Sequence, residues 1–157
     1  MKIKKILAPT DLSKTSMAGV RAAIEMAKES DAEVTVYHVL CLDEFVRFEL
    51  TRARPLMLEK LTEKCRAELD ALLSCELPEL RPFSRVKTAV EVGVPDKNIV
   101  DKATRDEVDM IVMSTNGRTG VAHVFSGSVT ESVVRRAPCA VLSIRPESPA
   151  AAVVAAA

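Results

Sequence analysis

Aromatic side chains are scarce: the 157 residues include no tryptophan, one tyrosine and four phenylalanines. Proteins that hold single-stranded nucleic acid stack successive bases on such rings, so that mode of binding lacks its material. The core must be filled with aliphatic side chains instead. An excess of either charge is also missing. Lys plus Arg and Asp plus Glu both number 22, which leaves no overall field to draw the chain onto a DNA backbone or an anionic membrane. Nor does any apolar run approach the roughly 20 residues that a spanning helix requires. Lys2, Lys4 and Lys5 imitate the charged start of a signal peptide, yet the apolar residues behind them stop at Pro9, too few for an h-region. The expectation is a soluble, cytoplasmic protein that binds neither nucleic acid nor membrane.

Paired cysteines are absent too. Cys41, Cys65, Cys75 and Cys139 contain no CxxC spacing, and His38 and His123 each stand far from two cysteines, so no zinc site is expected. The four thiols are read as reduced, mostly buried small hydrophobes. What the chain does have is 48% apolar and 28% charged residues at a length common for one domain, so a single folded core is expected.

The apolar residues fall into alternating short runs and helical stripes. Residues 3–9 form a short run that starts with a β-branched residue and is closed by Pro9, Thr10 and Asp11, the pattern of a strand ending in a turn. Ser13 is a candidate N-cap, followed by Met17, Val20, Ile24 and Ala27 at helical spacing. Residues 34–40 (VTVYHVL) are almost continuously apolar, as in a strand covered on both faces. A looser segment, 41–54, leads to Pro55, behind which Leu58, Leu61, Cys65, Leu69 and Leu72 share one stripe, until Pro78 and Pro82 break it. Residues 85–94 read as a third strand, Pro95 opens a helix with Ile99, Val100 and Ala103, and 108–113 form a fourth strand. Val129, Val133, Val134 and Ala137 mark a last helix ended by Pro138, before a fifth strand from Cys139 to Ile144. Strands alternating with helices imply an α/β fold: an open, five-stranded parallel sheet with helices on both faces, joined by right-handed crossovers. Such sheets bind ligands at their switch point, outside the carboxyl ends of the strands. Residues 1–146 are read as the domain and 147–157 (ESPAAAVVAAA) as an alanine-rich, disordered tail.

The densest chemical signal is 113–131, MSTNGRTGVAHVFSGSVTE, which holds Gly117, Gly120 and Gly127 of the chain's five glycines. Glycines let backbone N–H groups approach a phosphate, and Ser126, Gly127 and Ser128 stand where a helix begins. Arg118 can add charge. The same residues also suit a plain surface loop whose serines cap the helix. There is no Walker GxxxxGK[ST] and no GxGxxG in the first βα turn, so neither common nucleotide machine is present. Without a Walker lysine, binding is easier to support than hydrolysis. Asp11, at the end of the first strand, suits ribose hydroxyls at the switch point or, equally, the turn before the helix; no acidic pair stands beside it to make a phospho-receiver site. His38, inside the second strand, reads as a packed, hydrogen-bonded histidine, while His123 in the glycine loop is within reach of a ligand. No serine is set with a histidine and an acid in a recognisable hydrolase pattern, so no catalytic residue and no metal ligand is assigned.

The segments KKILAPTDLS, VTVYHVL, VGVP and MSTNGRTGVAHVFSGSVTESVVRRAPCAVLSIRP together resemble the universal stress protein family over residues 1–146. In the ATP-binding branch the loop has the form G-x-x-G, nine residues, then G-[ST]. Gly117, residues 118–126, Gly127 and Ser128 match it, and Ser114 replaces the first glycine. Carried over by position, the resemblance implies Pro9, Thr10, Asp11 and Val39 around adenine and ribose. It implies Ser114, Gly117, Arg118, Gly127, Ser128 and Val129 around ribose and phosphates. It further implies strand order 3-2-1-4-5, as in adenine nucleotide alpha hydrolase-like folds, and ATP as ligand, with or without magnesium. A homodimer through antiparallel pairing of the strand from Cys139 to Ile144 is implied as well; an apolar edge strand is a hazard that pairing removes.

The function expected is a nucleotide-responsive stress regulator or protector with at most weak ATP hydrolysis. The alternative is a stress protein that works through protein contacts without nucleotide, a reading favoured by Ser114. An ATP-consuming enzyme of related architecture is disfavoured because no SGGxDS-type loop occurs. Gly127→Val, which puts a branched side chain where a phosphate would meet backbone, is expected to abolish ATP binding in equilibrium dialysis while circular dichroism stays native. Unchanged affinity in a folded variant refutes the placement.

Overall fold

A computed structural model describes residues 2–42, 44–80, 84–115 and 129–146. The assignment of 147–157 as a tail lies outside the described residues. The chain runs β1 (Lys5–Thr10), α1 (Met17–Ser30), β2 (Glu33–Leu40), α2 (Glu44–Ala53), α3 (Pro55–Glu76), a 3-10 turn at Pro78–Leu80, β3 (Val86–Val92), α4 (Pro95–Arg105), β4 (Met110–Ser114), α5 (Val129–Arg136) and β5 (Ala140–Ile144). The strands form one parallel sheet in the order β3-β2-β1-β4-β5, as expected.

Side-chain alternation along the strands builds two cores. Ile6, Ala8, Val34, Val36 and Val112 pack with Val20, Ile24 and Ala27 of α1 and Leu69 of α3 on one face. Leu7, Tyr37, Val39, Ile111 and Met113 pack with Ile99 and Ala103 of α4 and Val133 of α5 on the other. Every residue of β1 after Lys5 is buried, which explains why the central strands read as unbroken apolar runs. Each large aliphatic side chain taken fully out of water, such as Leu7, Leu69 or Ile111, contributes about 1.5–3 kcal/mol.

Three expectations need correction. Residues 41–54 are not a loose segment, because α2 occupies Glu44–Ala53; among its described side chains only Leu50 is buried, and one such residue makes no stripe for a sequence pattern to reveal. Ser13 does not cap α1, which begins at Met17 after Ser16. Ser13 instead lies in a turn opened by Leu12, a non-glycine residue at φ 63, and the Ser16 amide donates to its Oγ at 3.2 Å. The cysteines are free but not mostly buried: Cys41 and Cys75 are exposed, Cys65 and Cys139 half-buried.

The centre of the sheet is not uniformly paired. β1 matches β2 at every position from Lys5↔Glu33 to Thr10↔His38, and β4 matches β5 from Met110↔Ala140 to Ser114↔Ile144. Between themselves β1 and β4 pair only at Ile6↔Met110 and Leu7↔Ile111. Behind this gap α1 lies against β4 so closely that a Cβ on Gly19 would sit 2.7 Å from the Ser114 amide nitrogen and 2.9 Å from the Met113 carbonyl carbon. Both are backbone atoms with no freedom to retreat. Gly19→Ala is therefore expected to destabilise the fold by about 1–3 kcal/mol despite alanine's better helix propensity. Thermal unfolding should show a Tm lower by roughly 3–10 °C; an unchanged or raised Tm would contradict this contact.

Candidate functional site

The parted ends of β1 and β4 open into a cavity of about 490 Å³, within the range typical of small-molecule sites. Pro9, Thr10 and Asp11 come from the end of β1, Tyr37 to Cys41 from the end of β2, Met113 and Ser114 from β4, Pro95 and Ile99 from α4, and Val129 and Thr130 from α5. Of the residues singled out from sequence, Pro9, Thr10, Asp11, Val39, Ser114 and Val129 line this one space. Gly117, Arg118, Gly127 and Ser128, with Gly120, His123 and Ser126, lie outside the described residues.

The wall is mainly carbon. The Tyr37 ring is buried, and its hydroxyl donates to Glu91 Oε2 at 2.9 Å. Burial and the neighbouring carboxylate both push that phenol well above its ordinary range. It adds no ionisable group to the cavity.

The hydroxyls of the wall satisfy one another. Ser16 Oγ donates to Ser13 O at 2.8 Å, so the 2.7 Å bond between Thr10 Oγ1 and Ser16 Oγ is donated by Thr10. Thr10 Oγ1 in turn accepts from the Leu12 amide at 3.1 Å. Ser114 Oγ accepts the Gly19 amide at 2.9 Å and donates to Ser16 O at 3.3 Å. It thus caps the first turn of α1, whose adjoining Ser16 provides no side-chain cap of its own. Thr130 Oγ1 donates to Ser114 O at 3.3 Å, fastening the start of α5 to β4. α5 is also held to α4 through Asp96, which accepts from Ser132 Oγ at 2.7 Å and from Arg136 at 2.6 Å.

His38 is half-buried, as expected for a packed histidine, with Nδ1 2.9 Å from Thr10 O. A carbonyl only accepts, so Nδ1 carries the proton. Asp11 stands exposed at the rim, its Oδ1 accepting the Ser13 amide at 3.0 Å and the Ser13 hydroxyl at 2.5 Å. Partial burial works to raise its carboxyl, but the Ser13 hydroxyl and amide, helped by Ser16, outweigh that and hold it below its ordinary value.

Sequence reasoning did not place Ser16, Tyr37, Pro95, Ile99, Met113 or Thr130 at the site. Tyr37 and Met113 were discoverable, since Tyr37 stands two residues before Val39 and Met113 is the last residue but one of a strand ending at the switch point, both on the face that carries Val39. Among the described residues no group of His, Cys, Asp and Glu could hold a metal ion, and no helix is long and apolar enough to cross a membrane.

An open parallel α/β sheet with a cavity at its switch point defines a broad class of ligand-binding domains. Comparison with known proteins narrows it. The profile of the universal stress protein family matches residues 2–145. Universal stress protein MJ0531 of Methanocaldococcus jannaschii is 35% identical over 142 residues, covering 90% of this chain and 82% of the relative. A putative universal stress protein of Staphylococcus haemolyticus is 32% identical, covering 92% and 86%. The chain belongs to the universal stress protein family. Among solved structures, the protein MJ0577 superposes with a TM-score of 0.72 at 28% identity, covering 94% of this chain and 99% of that one. A universal stress protein in complex with cAMP gives 0.67 at 19% identity, covering 94% and 100%. The universal stress protein from Archaeoglobus fulgidus in complex with dAMP gives 0.59 at 22%, covering 92% and 99%.

The Ser13 bonds give Asp11 a titration signature. Its carboxyl carbon, followed by NMR between pH 2 and 5, is expected to titrate below the ordinary 3.8. Because the folded value is the lower one, its contribution to stability is present above the unfolded value and lost as pH falls through the folded value. In Ser13→Ala the midpoint should rise; a wild-type midpoint at or above the ordinary value would remove the Ser13 bonds from the description.

Proposed function

We propose that this chain binds an adenine nucleotide, ATP, in the cavity between β1 and β4, and acts in the cytoplasm as a nucleotide-responsive stress regulator or protector rather than as a dedicated enzyme. The observation that carries the reading is the cavity itself, an apolar hollow at the switch point whose rim brings Asp11 within the same space as the start of α5. Apolar walls suit a purine, a rim carboxylate suits ribose hydroxyls, and a helix start suits a phosphate. Two solved proteins of the same fold are in complex with adenine nucleotides, cAMP in one and dAMP in the other. The glycines at 117, 120 and 127 and Arg118 supply, in sequence, what a phosphate needs beyond the described wall. Magnesium, if taken up with ATP, would ride on the phosphates.

Pairing of β5 with a second copy belongs to the same proposal. β5 is the sheet's edge, and Ala140, Leu142 and Ser143 are exposed along it, a surface that an antiparallel twin would cover.

One observation favours the rival reading, contact with proteins and no nucleotide: the Ser114 hydroxyl is committed to α1 and has no proton left for a ligand. The two separate on purified protein. Denaturation followed by chromatography should release an adenine nucleotide, and equilibrium dialysis should show ATP retained at micromolar concentrations. No released nucleotide and no retention at high micromolar ATP would overturn the nucleotide reading and favour the rival.

A further inference from the structure

Something other than ladder hydrogen bonds must set the distance between β1 and β4 across the cavity, because their pairing ends at Leu7↔Ile111. Both strand ends are bonded to the same residue. Ser16 receives Thr10, from β1, at its Oγ and Ser114, from β4, at its carbonyl oxygen. Ser114 also takes the Gly19 amide one turn further along α1. The Thr10–Ser16 bond is short and buried, at 2.7 Å between residues 7% exposed; the Ser114–Ser16 bond is longer, 3.3 Å and part-buried, but Gly19 leaves no room for the helix to slide toward β4. Hydrogen bonds shielded from water are electrostatically stronger than solvated ones.

We propose that Ser16 and Ser114 are positioning residues that together set the width of the nucleotide cleft: Thr10–Ser16–Ser114 is a spacer which replaces the missing β1–β4 ladder. Ser114, whose hydroxyl proton goes to Ser16 O, therefore acts on the ligand through α1. This rests on the nucleotide reading above. It assigns base selectivity to wall hydroxyls whose bonds run to α1, since a cleft of fixed width discriminates a purine from a smaller ring while a cleft free to change width does not.

The test measures ATP and CTP affinity by equilibrium dialysis for the wild type, Ser16→Ala, Ser114→Ala and the double variant, each shown folded by thermal unfolding. Wild type is expected to prefer ATP. Each single variant should lose about fivefold in ATP affinity, the scale of one net hydrogen bond, and less in CTP affinity, so that the ATP to CTP ratio falls. The double variant should be little worse than either single one, because the spacer fails when either half is cut. A variant that is merely less stable would leave the ratio where it was. If Ser16→Ala fails to fold, Ser114→Ala, which is less buried, still decides the matter through the ratio. Wild type that retains neither nucleotide overturns the functional reading and this proposal with it. ATP retained by wild type, with the ratio unchanged in a folded Ser114→Ala, overturns the spacer alone.

Discussion

β1 and β4 stand side by side at the middle of the sheet and separate after two paired positions, while each keeps full register with its outer neighbour. The topology requires the separation. Crossovers from β1 and β2 place α1 and α3 on one face, those from β3 and β4 place α4 and α5 on the other, and a crevice opens at the strand ends where the two directions diverge. The cavity, the tight seat of Gly19 and the hydroxyl bonds around Ser16 all follow from that one parting. A sheet that remained paired to Thr10 and Ser114 would have no space there to line.

An opened sheet centre exposes backbone and side-chain polar groups, and leaving them unsatisfied costs more than the bonds themselves contribute. Among the described residues no buried side-chain nitrogen or oxygen lacks a partner. That condition is met by local traffic: Asp11 with Ser13, Thr10 with Leu12 and Ser16, His38 with Thr10 O, Ser114 with Gly19 and Ser16. The polar residues at the switch point therefore shape the hollow first. What they leave to a ligand is mostly carbon, and this accounts for their composition better than direct donation to a ligand would.

The sheet and its order were legible because burial on both faces imposes unbroken apolar strands, and Met17, Val20, Ile24 and Ala27 do fall on the buried side of α1. The misreadings share a cause. Among the described side chains of α2 only Leu50 is buried, so they show no periodicity that announces it. α1 starts at Met17, four residues beyond Ser13, because several cap-capable side chains, Ser13, Thr15 and Ser16, stand close together, and the first-turn amide of Gly19 is taken by Ser114, 95 residues further along the chain. Cys41 and Cys75 fall on exposed surface, where a residue's general preference for the interior has no force. At the site, the strand ends and Val129 were placed from sequence, whereas Pro95, Ile99 and Thr130 depended on how α4 and α5 settle against one another, through Asp96, Ser132 and Arg136.

Charge orders the site further. No lysine or arginine lines the described wall; nearby Lys102 is turned to Asp106 at 2.7 Å and lies 5.6 Å from the Tyr37 ring centre, and Arg105 is engaged with Glu91 at 2.6 Å. The charged group at the rim is Asp11, which Ser13 keeps ionised over the whole neutral range. Two negative charges about 4 Å apart repel by roughly 4 kcal/mol at an effective dielectric near 20, so a phosphate cannot settle beside Asp11 as a sugar hydroxyl can. An anionic ligand in this hollow would turn its charged end from β1 toward β4 and α5, where a helix start offers positive dipole. Its orientation would thus be set by repulsion at one rim and by dipoles at the other, with no lysine or arginine on the described wall.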